Sequence, residues 1–207
     1  ELLAQKISPI GNQAIQLIDK RTSEFVAISD SIWKYAEPSY KETRSAELIM
    51  NALSKEGFTV TREVLNIPSV FIAEYGSGKP MIGLFGEYDA DPGASNKMVP
   101  RHDELTKGGL GHGGHHNLLG VGSLATAVAI KQLIKEGKLK CTLRYYGSTD
   151  EGRGGLRRFL SYDGYFGDLD FSLYWHPSPV TWASTAKWDA VTEVAILFSS
   201  DDKSKER

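Results

Sequence analysis

Met81-Ile82-Gly83-Leu84-Phe85-Gly86-Glu87-Tyr88-Asp89 is the stretch on which the fold turns. Met81 to Phe85 is apolar throughout, without polar alternation, which is the pattern of a central strand covered on both faces. The run then ends abruptly in carboxylates. In an open α/β sheet, ligands bind beyond the carboxyl ends of the strands, so this is where chemistry is expected. Two further strand patterns end alike. Lys140 to Tyr146 runs on to Thr149-Asp150-Glu151, and Leu169 to Trp175 runs on to His176-Pro177. A long loop from Glu87 to His116, rich in Gly, Pro, Asp and His, closes with His112-Gly113-Gly114-His115-His116-Asn117, directly before a helical stretch, Leu118 to Lys135. Structureless stretches of that length inside a domain are usually functional.

Outward from this centre the elements alternate. Ile18, Phe25, Ile28, Ile32 and Tyr35 lie on one helical stripe, which Glu37-Pro38-Ser39 breaks. A second helix carries Ala46, Ile49, Met50 and Leu53 and stops at Gly57. Phe58, Val60, Arg62 and Val64 alternate as a strand, Ser69 to Tyr75 reads as another, and Gly155 to Tyr162 as a short helix. The pattern predicts an α/β fold with a mixed, largely parallel sheet flanked by helices. Residues 1–189 are expected to form a catalytic-type domain. Residues 190–207 are either the start of a lid domain, with Ala190 to Phe198 as its first strand, or a polar disordered tail.

Composition narrows the function classes. The 207 residues are 41% hydrophobic and 24% charged, enough for a real core, with a net charge of −2. The pI near 6.3 and the lack of a basic stripe give no case for nucleic acid. No run of 18 apolar residues suggests a membrane span. Cys141 is the only cysteine, so an intramolecular disulfide is excluded; it reads as a small core residue. The cytoplasm is the expected compartment, with secretion after processing as the alternative.

Four of the five histidines lie between positions 102 and 116, and the fifth, His176, ends a strand. Imidazoles and carboxylates converging on one sheet edge suit zinc, manganese or cobalt. Each piece also has a plainer reading. The glycine-histidine loop is a flexible helix entry, Asp150-Glu151 a solvated pair, His176 a hydrogen-bonded structural residue, and Asp89 a turn cap. His102 reads as exposed.

The order of motifs resembles the dinuclear metal-dependent aminoacylase and carboxypeptidase family, in its amidohydrolase branch. Gly86-Glu87-Tyr88-Asp89-Ala90-Asp91-Pro92-Gly93 is similar to that branch's Gly-Glu-Phe/Tyr-Asp-Ala-Leu-Pro-Gly. Gly111 to Gly120 is similar to Gly-His-Gly-Cys-Gly-His-Asn-Leu-Leu-Gly, and Tyr174-Trp175-His176-Pro177 to Trp-His-Pro. Arg144 to Gly152 falls where the family has a strand ending in Pro-Ala-Glu-Glu-Gly. The resemblance runs from about Ile32 to Ala186 and is strongest to the p-aminobenzoyl-glutamate subgroup.

The resemblance implies a metal-dependent hydrolase of N-acyl or N-aroyl amino acids, holding one or two divalent ions (Zn, Mn or Co). His116, Glu151 and His176 would be metal ligands, with His115 or His112 as further candidates. Asp150 would be the general base, and Asp89 the carboxylate that orients a ligating histidine. Three departures stand out. The family's ligating cysteine is Gly114, its catalytic glutamate is the shorter Asp150, and its lid domain and last histidine ligand are not in this sequence. They predict a chain that by itself turns over slowly or not at all. The alternative is a non-catalytic relative that binds a ligand or partner without turnover. The expected partner is a small N-acyl amino acid or peptide, with a homo-oligomer in keeping with the family.

Overall fold

The computed structural model describes residues 7–149 and 155–178. Contacts divide the chain into Glu1–Pro177 and Ser178–Arg207, and every element named here belongs to the first unit. The expected boundary at residue 189 lies outside the described residues.

Three helices come first: α1 (Pro9–Asp19), α2 (Thr22–Tyr35) and α3 (Thr43–Lys55). The expected single stripe from Ile18 to Tyr35 is thus split at Lys20-Arg21. The Ser8 hydroxyl caps α1 by accepting the Gly11 N–H, and Pro9 sits in the first turn, where a missing N–H costs nothing. Helix α2 ends where Ala36 turns left-handed at φ 43°. Helix α3 buries Ala46, Ile49, Met50 and Leu53, the face expected from spacing.

The strands are β1 (Thr59–Thr61), β2 (Phe71–Gly76), β3 (Met81–Glu87), β4 (Asp91–Pro92), β5 (Leu110–Gly111), β6 (Thr142–Ser148) and β7 (Phe171–Leu173). Helices α4 (His116–Lys135) and α5 (Leu156–Tyr162) complete the order. The main sheet runs β1-β2-β6-β3-β7. Strand β3 pairs parallel with β6 and β7, whereas β2 pairs antiparallel with β1 and β6. The sheet is therefore mixed, parallel around β3 and antiparallel beyond β6. Only Thr59–Thr61 of the expected first strand pairs; Val64 turns into a short 3-10 segment. The loop after β3 is also less formless than expected, because β4 and β5 make a small antiparallel ladder within it.

Successive residues of a strand face opposite sides. Leu84, Leu143 and Tyr145 join Ile32, Ile49, Leu53 and Leu124 in the main core. Phe85 and Tyr146 stack on each other and meet Phe166 edge-on. A smaller cluster, Val64, Val70, Leu156 and Leu160, forms under α5. Each fully buried Leu or Ile contributes about 1.5–3 kcal/mol relative to exposure. Helix α4 is long and apolar enough by composition to cross a bilayer, but it is an interior helix, burying residues from His116 to Leu133. Cys141 is buried, as expected. Strand β7 lies at the sheet's end, with Phe171 and Leu173 exposed.

Candidate metal centre

The parallel register Met81↔Thr142 through Glu87↔Ser148 brings the carboxyl ends of β3 and β6 level, and β7 runs the same way. Tyr88, fully buried, stacks on Phe71, and its hydroxyl donates to the Ser69 carbonyl. With Tyr88 held in the core, extended-chain alternation turns Glu87 and Asp89 to a common side. The turn between α2 and α3 anchors the chain just beyond Asp89, because Ala90 N–H donates to the Glu37 carbonyl at 2.7 Å.

His116 opens α4 and is buried beside both carboxylates. Its Nδ1 lies 2.8 Å from Asp89 Oδ1, while the Ser39 hydroxyl donates to Asp89 Oδ2 at 2.9 Å. An ionised carboxylate only accepts, so Nδ1 carries the proton and a neutral ring keeps its lone pair on Nε2. That Nε2 is 3.3 Å from His176 Nε2 and 3.6 Å from Glu87 Oε2. The side-chain donors of Glu87, Asp89 and His116 all lie within 4.8 Å of one another.

His176 is brought in by its neighbour. The Trp175 indole N–H donates to Ser123 Oγ at 3.1 Å, and its ring lies against Gly122 of α4. A Cβ at position 122 would stand 2.6 Å from Trp175 Cζ2, so only glycine admits the indole there. Trp175 therefore fixes the approach of His176 to α4.

Glu87 is fully buried, and its two oxygens differ. Oε1 accepts from Arg157, whose guanidinium lies 4.1 Å from the Tyr174 ring centre and 4.9 Å from that of Phe85. Burial pulls the Arg157 guanidinium below its ordinary value. Oε2 has no hydrogen-bond partner among the described residues. An orphaned carboxylate oxygen facing an imidazole lone pair is costly unless a cation is drawn in. The geometry fits one: two imidazole nitrogens on a tetrahedral ion at about 2.0–2.1 Å stand about 3.3–3.4 Å apart.

The expected site residues divide clearly. His116, His176 and Asp89 come together. His112 is buried, but its Nε2 lies 3.1 Å from the Ile32 carbonyl oxygen, which ties the loop to α2; burial lowers its pKa. His115 is exposed in a left-handed conformation at the start of α4. The structure brings neither of them into the Glu87, Asp89 and His116 group: His112 turns its Nε2 to a backbone carbonyl and keeps a buried Nδ1 without a hydrogen-bond partner among the described residues, and His115 is exposed. Asp150 and Glu151 lie outside the described residues. Glu87 and Arg157 were not anticipated. The signal for Glu87 was its place two residues before Asp89 at the end of an apolar strand; nothing in the pattern marked Arg157.

Superposition on solved structures shows a shared fold. The chain aligns with a dinuclear metal binding peptidase from the M20 family of Bacillus subtilis at a TM-score of 0.64 and 20% identity, covering 76% of this chain and 43% of that one. It aligns with the aminobenzoyl-glutamate utilization protein of Klebsiella pneumoniae at 0.52 and 13% identity, covering 78% and 46%. In sequence it is similar to a subunit of the p-aminobenzoyl-glutamate hydrolase of Escherichia coli (strain K12), 42% identical over 161 residues, or 77% of this chain. The chain spans 34% of the length of that curated relative. No protein-family model matches the chain.

Proposed function

We propose that this chain carries the metal-binding part of a hydrolase that cleaves the amide bond of N-acyl or N-aroyl amino acids, with p-aminobenzoyl-glutamate as the model substrate. One observation carries the reading: His116 Nε2 lies 3.3 Å from His176 Nε2 and 3.6 Å from the orphaned Glu87 Oε2. The sequence similarity to the p-aminobenzoyl-glutamate hydrolase subunit supports the substrate class.

In this reading His116, His176 and Glu87 hold a divalent ion, and Glu151 adds a carboxylate from the segment after β6. When bound, such an ion polarises the amide carbonyl and lowers the pKa of a coordinated water. Asp89 holds the His116 proton on Nδ1, keeping Nε2 available as a donor pair. Arg157 neutralises one side of Glu87, leaving the other oxygen for the cation. Asp150 takes the proton of the attacking water and returns it to the leaving amine.

The test is release of glutamate from p-aminobenzoyl-glutamate, with a panel of other N-acyl amino acids, in added zinc, manganese or cobalt. Slow turnover that is abolished by chelation and by His116→Ala and Asp150→Asn is the expected result. Glycine at position 114 favours a second reading, a relative that binds such molecules without hydrolysing them. Metal-dependent binding with no glutamate release in any variant selects that reading, and absence of any bound metal refutes both.

A further inference from the structure

Gly114 occupies a telling place in the loop before α4. A Cβ added there would lie 3.2 Å from His116 Nε2, so this position borders the donor atom of the centre. The same Cβ would lie 3.4 Å from Asp91 Oδ2. Asp91 already reaches this space, because its Oδ2 accepts the Gly114 N–H at 3.2 Å. The ladder between β4 and β5 sets the reach by pairing Asp91 with Gly111, three residues before Gly114. Position 91, aspartate where the quoted motif has leucine, and position 114, glycine where it has cysteine, thus border one small space. The fully buried, unpartnered Glu87 Oε2 beside His116 Nε2 marks that neighbourhood independently as a cation site.

We propose that Asp91 is a metal-binding residue of this chain, supplying from the hairpin the anionic ligand that position 114 does not. The inference rests on the divalent-ion reading of the centre. The exchange has a chemical consequence. Thiolate favours zinc, whereas carboxylate oxygen suits manganese, so this centre prefers manganese more strongly than a thiolate-bearing one. A Cβ at 114 would stand in ordinary contact with Asp91 Oδ2 at 3.4 Å and close to His116 Nε2 at 3.2 Å, so a cysteine there and Asp91 compete for the same position beside His116.

The experiment is calorimetric titration of the whole chain with manganese and with zinc, for wild type, Asp91→Asn, Gly114→Cys and the double variant Asp91→Leu/Gly114→Cys. Asparagine keeps an oxygen for the Gly114 N–H, and the metal-free thermal midpoint checks that the fold is intact. Asp91→Asn is expected to weaken manganese binding by about tenfold or more, since losing even an outer-shell partner of a metal ligand costs about tenfold to a hundredfold. The double variant is expected to shift the manganese-to-zinc preference toward zinc by about tenfold and to bind zinc more tightly than Gly114→Cys alone, since contacting sites do not act additively. Cobalt gives a separate readout: Cys141 is buried, so thiolate-to-cobalt charge transfer is absent in wild type and arises in the double variant. Asp91→Asn binding manganese within about twofold of wild type overturns the proposal while leaving the centre itself standing. A wild type that binds neither ion overturns both.

Discussion

Gly122→Ala separates the metal centre from the stability of the fold. The added methyl group would begin 2.6 Å from Trp175 Cζ2 and 3.4 Å from two further indole carbons. Ordinary carbon contacts lie at about 3.5–4.0 Å, so the ring must retreat by about 1 Å. That movement breaks the 3.1 Å indole bond to Ser123 and carries His176 with it. Metal ligands tolerate displacements of only about 0.2 Å from ideal distances, so His176 leaves the ligand set. Overpacking costs about 1–3 kcal/mol, but replacing glycine inside a helix returns about 0.5–1 kcal/mol. Net destabilisation is therefore modest, about 1–2 kcal/mol by the same principles, while metal affinity falls by about tenfold to a hundredfold. Calorimetry with zinc or manganese, read beside the thermal midpoint of the metal-free chain, measures the two effects separately. Gly122→Ala binding the ion as tightly as wild type would show that Trp175 does not position His176.

Two other variants test the surroundings of the centre. Asp89→Asn removes the acceptor that holds the His116 proton on Nδ1, and metal affinity should drop by about tenfold to a hundredfold with the fold intact; unchanged zinc affinity by calorimetry would refute this. Burial raises the Glu42 carboxyl above its ordinary value, so the folded chain holds that proton more tightly than the unfolded chain. The resulting stability is complete in acid and is lost as pH climbs through the raised value. Glu42→Gln, which keeps the acceptor for the Tyr40 N–H, should raise stability near pH 7 by about 1–3 kcal/mol, with the advantage vanishing near pH 4. Parallel stability curves for the two proteins across that range would refute it.

The fold was readable in the sequence where periodicity and burial act together. Met81 to Phe85 is apolar because both faces of β3 are packed, Leu84 in the main core and Phe85 against Tyr146 and Phe166, and the α3 face is apolar because it packs on the core. The break at Lys20-Arg21 was not readable, since neither residue is a helix breaker and the stripe continues across it. Strand β1 proved short because an alternating pattern does not say where pairing stops. At the centre, the nearness of His116 to Asp89 and His176 was readable from their places at strand and helix ends. Glu87 was not singled out, because one acidic residue at a strand end has no pattern of its own until its partners are placed. His112 shows a related limit: a histidine in a metal-like motif looks the same in sequence whichever ring nitrogen meets a helix carbonyl, as Nε2 does at Ile32.

Strand β7 has a consequence for the behaviour of the chain in solution. Among the described residues it pairs with β3 alone, and its Phe171 and Leu173 are exposed. Such a margin is a template for adding another strand, and proteins restrain it by shortness and charge. Both restraints are present: the strand has three residues, and Asp170, paired with Lys79, stands immediately before it. Brevity and the two charged groups at its start therefore both oppose strand-by-strand self-association.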